Sequence, residues 1–75
     1  MKAIIWTTEI CPFCIRAKNL LRKKDIEYEE RVIGEDWTKQ DLLESVPNAH
    51  TVPQIFIDNI YIGGYTDLTE HLSSS

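Results

Sequence analysis

Cys11 and Cys14 are the only cysteines in the chain, and they enclose a two-residue step, Pro12-Phe13. Thiols at this spacing can attack a disulfide, hold it as a mixed disulfide, and release the product by closing on each other. The same pair makes a poor staple, because a bridge across so short a loop removes almost no freedom from the unfolded chain. Core or surface thiols without chemistry are the bland alternative. Position weighs against it. The motif lies between an apolar run, Ala3-Ile4-Ile5-Trp6, and a basic amphipathic segment that begins at Ile15. Strand, CxxC, helix is where a redox-active dithiol belongs in a small βαβ protein. A metal site within one chain needs about four ligands. Only His50 and His71 could join the cysteines, and neither has metal-ligand spacing to them, so no metal is expected.

The dithiol must be positioned by the elements around it. Residues 2–7 read as a buried strand, since Ile4, Ile5 and Trp6 favour β structure. From about Pro12 the period changes. Cys14, Ala17, Leu20, Leu21 and Lys24 recur with the spacing of a helix, and Pro12 suits a first turn that needs no N–H partner. Asp25 is expected to close this helix. Residues 26–32 alternate as a half-buried or edge strand, with Ile26, Tyr28 and Val32 opposite Glu27, Glu29 and Arg31. A second helix is expected to start at Gly34-Glu35-Asp36, carry Trp37, Leu42 and Leu43 as its apolar face, and break at Pro47-Asn48-Ala49-His50. Gln54-Ile55-Phe56-Ile57 and Ile60-Tyr61-Ile62 form a hairpin about Asp58-Asn59. Gly63-Gly64 ends the last strand. Thr66 or Asp67 caps a short final helix carrying Leu68, His71 and Leu72, and Ser73-Ser74-Ser75 is expected to fray.

The order is β-α-β-α-β-β-α. A right-handed βαβ unit makes two strands parallel, and the hairpin should join antiparallel to the first. The expected fold class is therefore α/β, a four-stranded mixed sheet flanked by three helices on both faces, in one domain over residues 1–75.

Cys11 lies just before the first helix and Cys14 within its first turn. The unpaired N–H groups and the dipole at a helix start favour negative charge on the nearer sulfur. Cys11 is thus the expected attacking thiolate and Cys14 the resolving thiol. Pro12 removes one N–H that could point at the sulfur, which should leave Cys11 less stabilised as thiolate and the protein more reducing. Thr51-Val52-Pro53 is a second constellation, a proline directly before a strand, which is also ordinary turn punctuation.

The chain carries eight basic and twelve acidic residues, a formal charge of −4, which argues against nucleic acid as a partner. Arg16, Lys18, Arg22, Lys23 and Lys24 nevertheless crowd the segment after the CxxC. They make either a solvated helix face with cations near its C-terminus or a steering surface for an anionic partner. No stretch has membrane-spanning length, and the short apolar opening lacks a cleavage pattern. A reducing compartment, the cytoplasm, is the expected location.

Three blocks together resemble the glutaredoxins, specifically the small bacterial or phage dithiol type. They are Cys11-Pro12-Phe13-Cys14-Ile15-Arg16-Ala17-Lys18, Thr51-Val52-Pro53-Gln54-Ile55-Phe56-Ile57 and Ile62-Gly63-Gly64-Tyr65-Thr66-Asp67. The resemblance covers nearly the whole chain. It implies a thioredoxin-like fold and a thiol–disulfide oxidoreductase that reduces protein disulfides and glutathione mixed disulfides, with glutathione as reductant. It implies a cis Pro53, with the Val52 backbone turned toward Cys11 to hold the cysteinyl part of glutathione as a strand would. Thr66 and Asp67 would meet the γ-glutamyl end, Gln40 the glycyl carboxylate, and Gly63-Gly64 would let the chain pass close to the ligand. From the residues alone, Asp67 also reads as a plain cap, Gly63-Gly64 as a strand-end turn, Gln40 as solvated helix surface, and Tyr65 as core or pocket wall. The expected partners are glutathione and disulfide-bearing or glutathionylated proteins, with a ribonucleotide reductase a candidate and no membrane involved. The chain is expected to act as a monomer.

The chain departs from that family at several positions. Thr8 stands where a Lys or Arg is frequent, Glu9 follows it, and Phe13 replaces the usual tyrosine, losing a hydroxyl donor. The final helix is short. Two competing readings are a thioredoxin-type carrier reduced by a flavoprotein and an iron–sulfur module. Thr66, Asp67 and Gln40 favour glutathione over the first, and Pro12 argues against the second.

Overall fold

In the computed structural model, which describes residues 1–73, β1 (Lys2–Thr7) runs through the middle of the sheet. The other elements are α1 (Pro12–Lys23), β2 (Glu27–Val32), α2 (Lys39–Ser45), β3 (Gln54–Ile57), β4 (Ile60–Gly63) and α3 (Tyr65–Ser73). The sheet order is β2-β1-β3-β4. β2 pairs parallel to β1, while β3 pairs antiparallel to both β1 and β4. The expected α/β architecture, order and strand directions are all present.

Strand alternation divides the core into two layers. Ala3 and Ile5 of β1 and Ile55 and Ile57 of β3 face one side, where Ala17 and Leu21 of α1 and Leu68 of α3 cover them. Ile4, Trp6 and Phe56 face the other, against Leu42 and Val46 at α2 and Ala49 beyond it. β1 is apolar in both directions because both of its faces are covered. β2 is an edge strand and tolerates charge. Its Arg31 guanidinium lies 4.3 Å from the Trp37 ring centroid and 5.2 Å from that of Trp6, and its Nε donates to Glu29 at 2.6 Å. That bond, then the Arg31 charge, hold the Glu29 carboxyl below its ordinary value.

The joints follow from local chemistry. α1 ends in paired return bonds: Ile26 N–H donates to the Leu21 carbonyl at 2.9 Å and Asp25 N–H to that of Arg22 at 3.0 Å. Asp25 takes the left-handed conformation, φ 57°, that such a stop requires, and so closes the helix as expected. Asp58 and Asn59 have φ of 50° and 67°, the pair of positive values a two-residue hairpin turn needs.

α2 does not begin at Gly34-Glu35-Asp36. Gly34, at φ +100°, opens a turn in which its N–H donates to the Trp37 carbonyl at 2.8 Å. The helix starts after Thr38, whose Oγ1 accepts from Asp41 N–H at 3.1 Å while the Asp41 carboxylate accepts from Thr38 N–H at 2.8 Å. This reciprocal cap satisfies two of the N–H groups that a helix start leaves without intrahelical partners. Trp37 therefore packs from the turn rather than from the helix, edge-on to Trp6 at 5.3 Å. Ser73 ends α3 as helix, and the rest of the serine tail expected to fray lies outside the described residues.

Two polar clusters tie the frame together. Glu30 on β2 accepts from Thr7 Oγ1 at 2.7 Å and from Lys18 Nζ at 3.0 Å, joining β1, β2 and α1. Burial pushes the Glu30 carboxyl up, but the bonds from Thr7 and Lys18 and the Lys18 and Arg22 charges outweigh it, and the net shift is below its ordinary 4.5. On the opposite face, buried Gln54 is held at both ends. Its Nε2 donates to the Thr51 carbonyl at 2.8 Å, and its Oε1 accepts from Tyr61 Oη at 2.6 Å.

Because the folded Glu30 carboxyl titrates below 4.5, its contribution is fully present above that pH and is lost as pH falls through the lower folded value. Glu30→Gln should therefore destabilise the protein by roughly 1 kcal/mol at pH 7, with the gap closing below pH 4.5. Urea unfolding of both proteins at pH 7 and in the acid range measures this; a gap that widened in acid would contradict it. Tyr61→Phe leaves the buried Gln54 oxygen without its donor, at about 1 kcal/mol. For a chain this small the expected drop in Tm is roughly 4–8 °C, read by thermal denaturation.

Candidate dithiol active site

Cys11 is the N-cap of α1. Its backbone is extended, φ −153° and ψ 98°, and its Sγ accepts from the Cys14 N–H at 3.2 Å. A serine or aspartate commonly does this with oxygen. Here the acceptor is a sulfur of the dithiol. Pro12 occupies the first helical position, and the Ile15 N–H closes the first turn on the Cys11 carbonyl at 3.2 Å. Cys11 and Cys14 are joined as a disulfide in this structure. Cys11 keeps 9% of its surface exposed and Cys14 2%, so Cys11 is the more accessible residue of the pair.

The Val52–Pro53 peptide bond is cis, and the Val52 carbonyl oxygen lies 3.7 Å from Cys11 Sγ. Gln54 fixes the preceding Thr51 carbonyl, so the loop that faces the sulfur is anchored from β3 and β4. A cavity of about 340 Å³ opens alongside it. Thr51, Val52 and Pro53 form one wall, and Gly64, Tyr65, Thr66 and Asp67 form the other, at the start of α3. Phe13 closes the near end, its ring 6.0 Å from that of Tyr65 and covered by the Arg16 guanidinium at 5.4 Å. Tyr65 is thus pocket wall as well as packed side chain.

Neither Thr66 nor Asp67 is the cap of α3. The helix begins at Tyr65, one residue earlier, and Asp67 reaches back to accept the Gly64 N–H at 3.0 Å. The first intrahelical bond runs from Leu68 N–H to the Gly64 carbonyl at 3.0 Å. The N–H groups of Tyr65, Thr66 and Asp67 therefore have no intrahelical acceptor and sit at the cavity, an arrangement suited to a carboxylate. Gly63, at φ +122°, is required for the same reason: a Cβ there would collide with the Asp67 carboxylate.

Gln40 is exposed and lines neither this cavity nor its neighbour. The neighbouring cavity, of about 180 Å³, shares Thr51 and Val52 with the first. It gathers Thr8, Lys39 and His50 at one place with Ile33, Leu42 and Ala49. Lys39 and His50 were not among the expected site residues. The signal for Lys39 was the Thr38-x-x-Asp41 cap, which makes Lys39 the first residue of α2. A helix started at Gly34 hides it. His50 carries no local signal, since only the fold brings it beside Val52. The Thr8 hydroxyl contacts the Ile10 carbonyl at 3.5 Å, and Glu9 is exposed. Among the described residues no three His, Cys, Asp or Glu side chains gather as a metal-ligand set, and no helix is long and apolar enough to cross a membrane.

The chemistry open to this arrangement is disulfide exchange at Cys11, with a peptide backbone laid along Val52 and an anionic end placed at α3. The comparisons agree with that geometry. The glutaredoxin family model matches residues 3–62. Glutaredoxin 1 of Rickettsia typhi is 45% identical over 67 residues, a match that covers 87% of this chain and 64% of that relative, so the chain spans just under two thirds of its length. Glutaredoxin 3 of Escherichia coli is 44% identical over 64 residues, covering 85% and 77%. The solved structure of reduced Escherichia coli glutaredoxin matches with a TM-score of 0.83 at 38% identity, covering 100% of this chain and 96% of that one. With the dithiol, the cis proline and the α3 cavity assembled on a thioredoxin-like sheet, this chain belongs to the glutaredoxin family.

Proposed function

We propose that this chain is a glutathione-dependent thiol–disulfide oxidoreductase that reduces protein disulfides and glutathione mixed disulfides. It would act as a single-domain monomer in the cytoplasm, on substrates that include a ribonucleotide reductase. The observation that carries the reading is that Cys11 Sγ lies against the carbonyl of Val52, a residue that lines one cavity together with the start of α3. Glutathione has a sulfur flanked by two carboxylate-bearing arms, and this surface offers a place for each part. Val52 holds the cysteinyl backbone by its main-chain groups. The N–H groups of Thr66 and Asp67 take the γ-glutamyl carboxylate, and the Asp67 carboxylate faces the α-amine. On the other arm, Lys39 supplies the cation that Thr8 does not, beside the shared wall of Thr51 and Val52. A buckwheat glutaredoxin crystallised with glutathione has the same fold, at a TM-score of 0.82, but its 24% identity supports the fold alone.

The reaction follows from the cap. Cys11 attacks a substrate disulfide as thiolate, its charge held by the Cys14 N–H and the start of α1. A sulfur–sulfur bond forms at Cys11 as the substrate bond breaks, and the departing thiolate takes a proton from solvent. With a protein substrate, Cys14 then attacks Cys11, releases the second substrate thiol and leaves the Cys11–Cys14 disulfide. With a glutathionylated substrate, Cys11 retains the glutathionyl group, and a second glutathione removes it as glutathione disulfide. Two glutathione thiols reduce the internal disulfide by the same two exchanges.

The deciding test is turnover of a glutathione mixed disulfide with glutathione and its NADPH-linked reductase, run beside a thioredoxin-reductase assay. Turnover only in the second would favour the flavoprotein-linked carrier. Cys11→Ser should abolish both protein-disulfide reduction and deglutathionylation, whereas Cys14→Ser should keep deglutathionylation and lose the former. Full deglutathionylation by the Cys11→Ser protein would sink the assignment. Lys39→Met should raise KM for glutathione by about two- to fivefold at low salt, since a surface ion pair contributes little. Raising the ionic strength should shrink that difference, and an effect indifferent to salt would place Lys39 off the ligand.

A further inference from the structure

The second cavity, of about 180 Å³, has Ile33, Leu42, Ala49 and Val52 in its lining. Any extended ligand with its sulfur at Cys11 and one end at α3 must leave along Val52 in the opposite direction. Thr51 and Val52 are shared by the two cavities, so its next residue arrives at the neighbour formed by Ile33, Leu42, Ala49 and Val52. One residue of extended chain advances about 3.3 Å. In glutathione this residue is glycine and brings no side chain. The cavity, at about 180 Å³, holds several water volumes of roughly 30 Å³ each. That is room for a branched aliphatic side chain. Its polar residues, Thr8, Lys39 and His50, can meet the backbone or carboxylate of the same residue.

We propose that this cavity is a specificity pocket for an aliphatic residue directly after the reactive cysteine of a peptide or protein substrate. The inference rests on the ligand direction given under Proposed function, with the γ-glutamyl end at α3. It assigns Ile33, Leu42 and Ala49 a part in choosing among disulfides that glutathione itself does not exercise. Occupancy removes apolar surface from water beside an already paired backbone, so preference should grow with side-chain size until the pocket is full.

The test uses mixed disulfides of γ-Glu-Cys-X with nitrothiobenzoate, X being Gly, Ala, Val, Leu or Phe, and a matching N-acetyl-Cys-X series. The Cys14→Ser protein keeps the reaction at one step. Cys11 thiolate attacks the peptide sulfur, the Cys11–peptide bond forms, and nitrothiobenzoate departs as a coloured thiolate, being the better leaving group. The second-order rate constant for X = Leu should exceed that for X = Gly by about tenfold. Ala49→Leu, which fills the pocket from its wall, should bring the ratio to about one. Ile33→Ala, at a less buried position, should shift the optimum to Phe and keeps the test informative if the first variant does not fold. A flat series in the unmodified pocket, or a preference for Gly, overturns the proposal. Loss of the γ-glutamyl advantage over N-acetyl, with the dependence on X intact, would count against the glutathione reading and leave the pocket standing.

Discussion

A sulfur caps a helix here, and the site is arranged around that bond. The Cys14 N–H donates to Cys11 Sγ at 3.2 Å, and Cys11 is the residue at which β1 hands over to α1. Helix starts carry unpaired N–H groups that favour anions, and in this chain the acceptor is the sulfur of a CxxC pair. Burial alone would disfavour a thiolate; the helix start opposes it. Pro12 fits this solution because the first helical position has no N–H obligation. The remaining structure must hold that helix start against a surface where a second sulfur can dock.

The sheet does this by bringing three junctions to one end. β1 leaves toward Cys11, β3 begins just after Pro53, and β4 ends at Gly63 before α3. Trp6 pairs with Gln54, and Ile55 with Gly63, so antiparallel pairing places all three beside one another. Each junction is then pinned by a specific bond. Gln54 holds the Thr51 carbonyl, Asp67 holds the Gly64 N–H, and Cys11 caps α1. Backbone groups are thus held in place at each junction.

Charge is placed against the net balance of −4. Arg16 lies over Phe13 beside the cavity, while Lys18 is committed to Glu30 and Arg22 bonds Asn19 at 3.2 Å. The basic run after the CxxC is therefore partly structural scaffolding and partly site rim. Lys39 approaches from α2, a separate element. Lys39 shares a cavity with Thr8 and His50, while the N–H groups at the start of α3 sit at the other cavity.

The order of elements, the pairing directions and the place of the dithiol at the start of α1 were legible in the residues. They depend on local period, on turn chemistry such as Asp58-Asn59, and on spacing within a few positions. The Thr51 to Asp67 walls of the larger cavity were legible through family resemblance, which the fold then placed together. The start of α2 was misread because an acidic pair outweighed the Thr38–Asp41 cap, although both signals were present. Other features had no local signal. Gln54 reaches Tyr61 across β3 and β4, and Lys39, His50 and Thr8 line one cavity next to Val52. These are contacts between residues far apart in sequence. Helical phase and strand register decide them, and a shift of one residue in α2 exchanges Gln40 for Lys39. Local chemistry determined what this chain can do at Cys11; packing of α2 and β3 around Val52 decided which side chains surround that reaction.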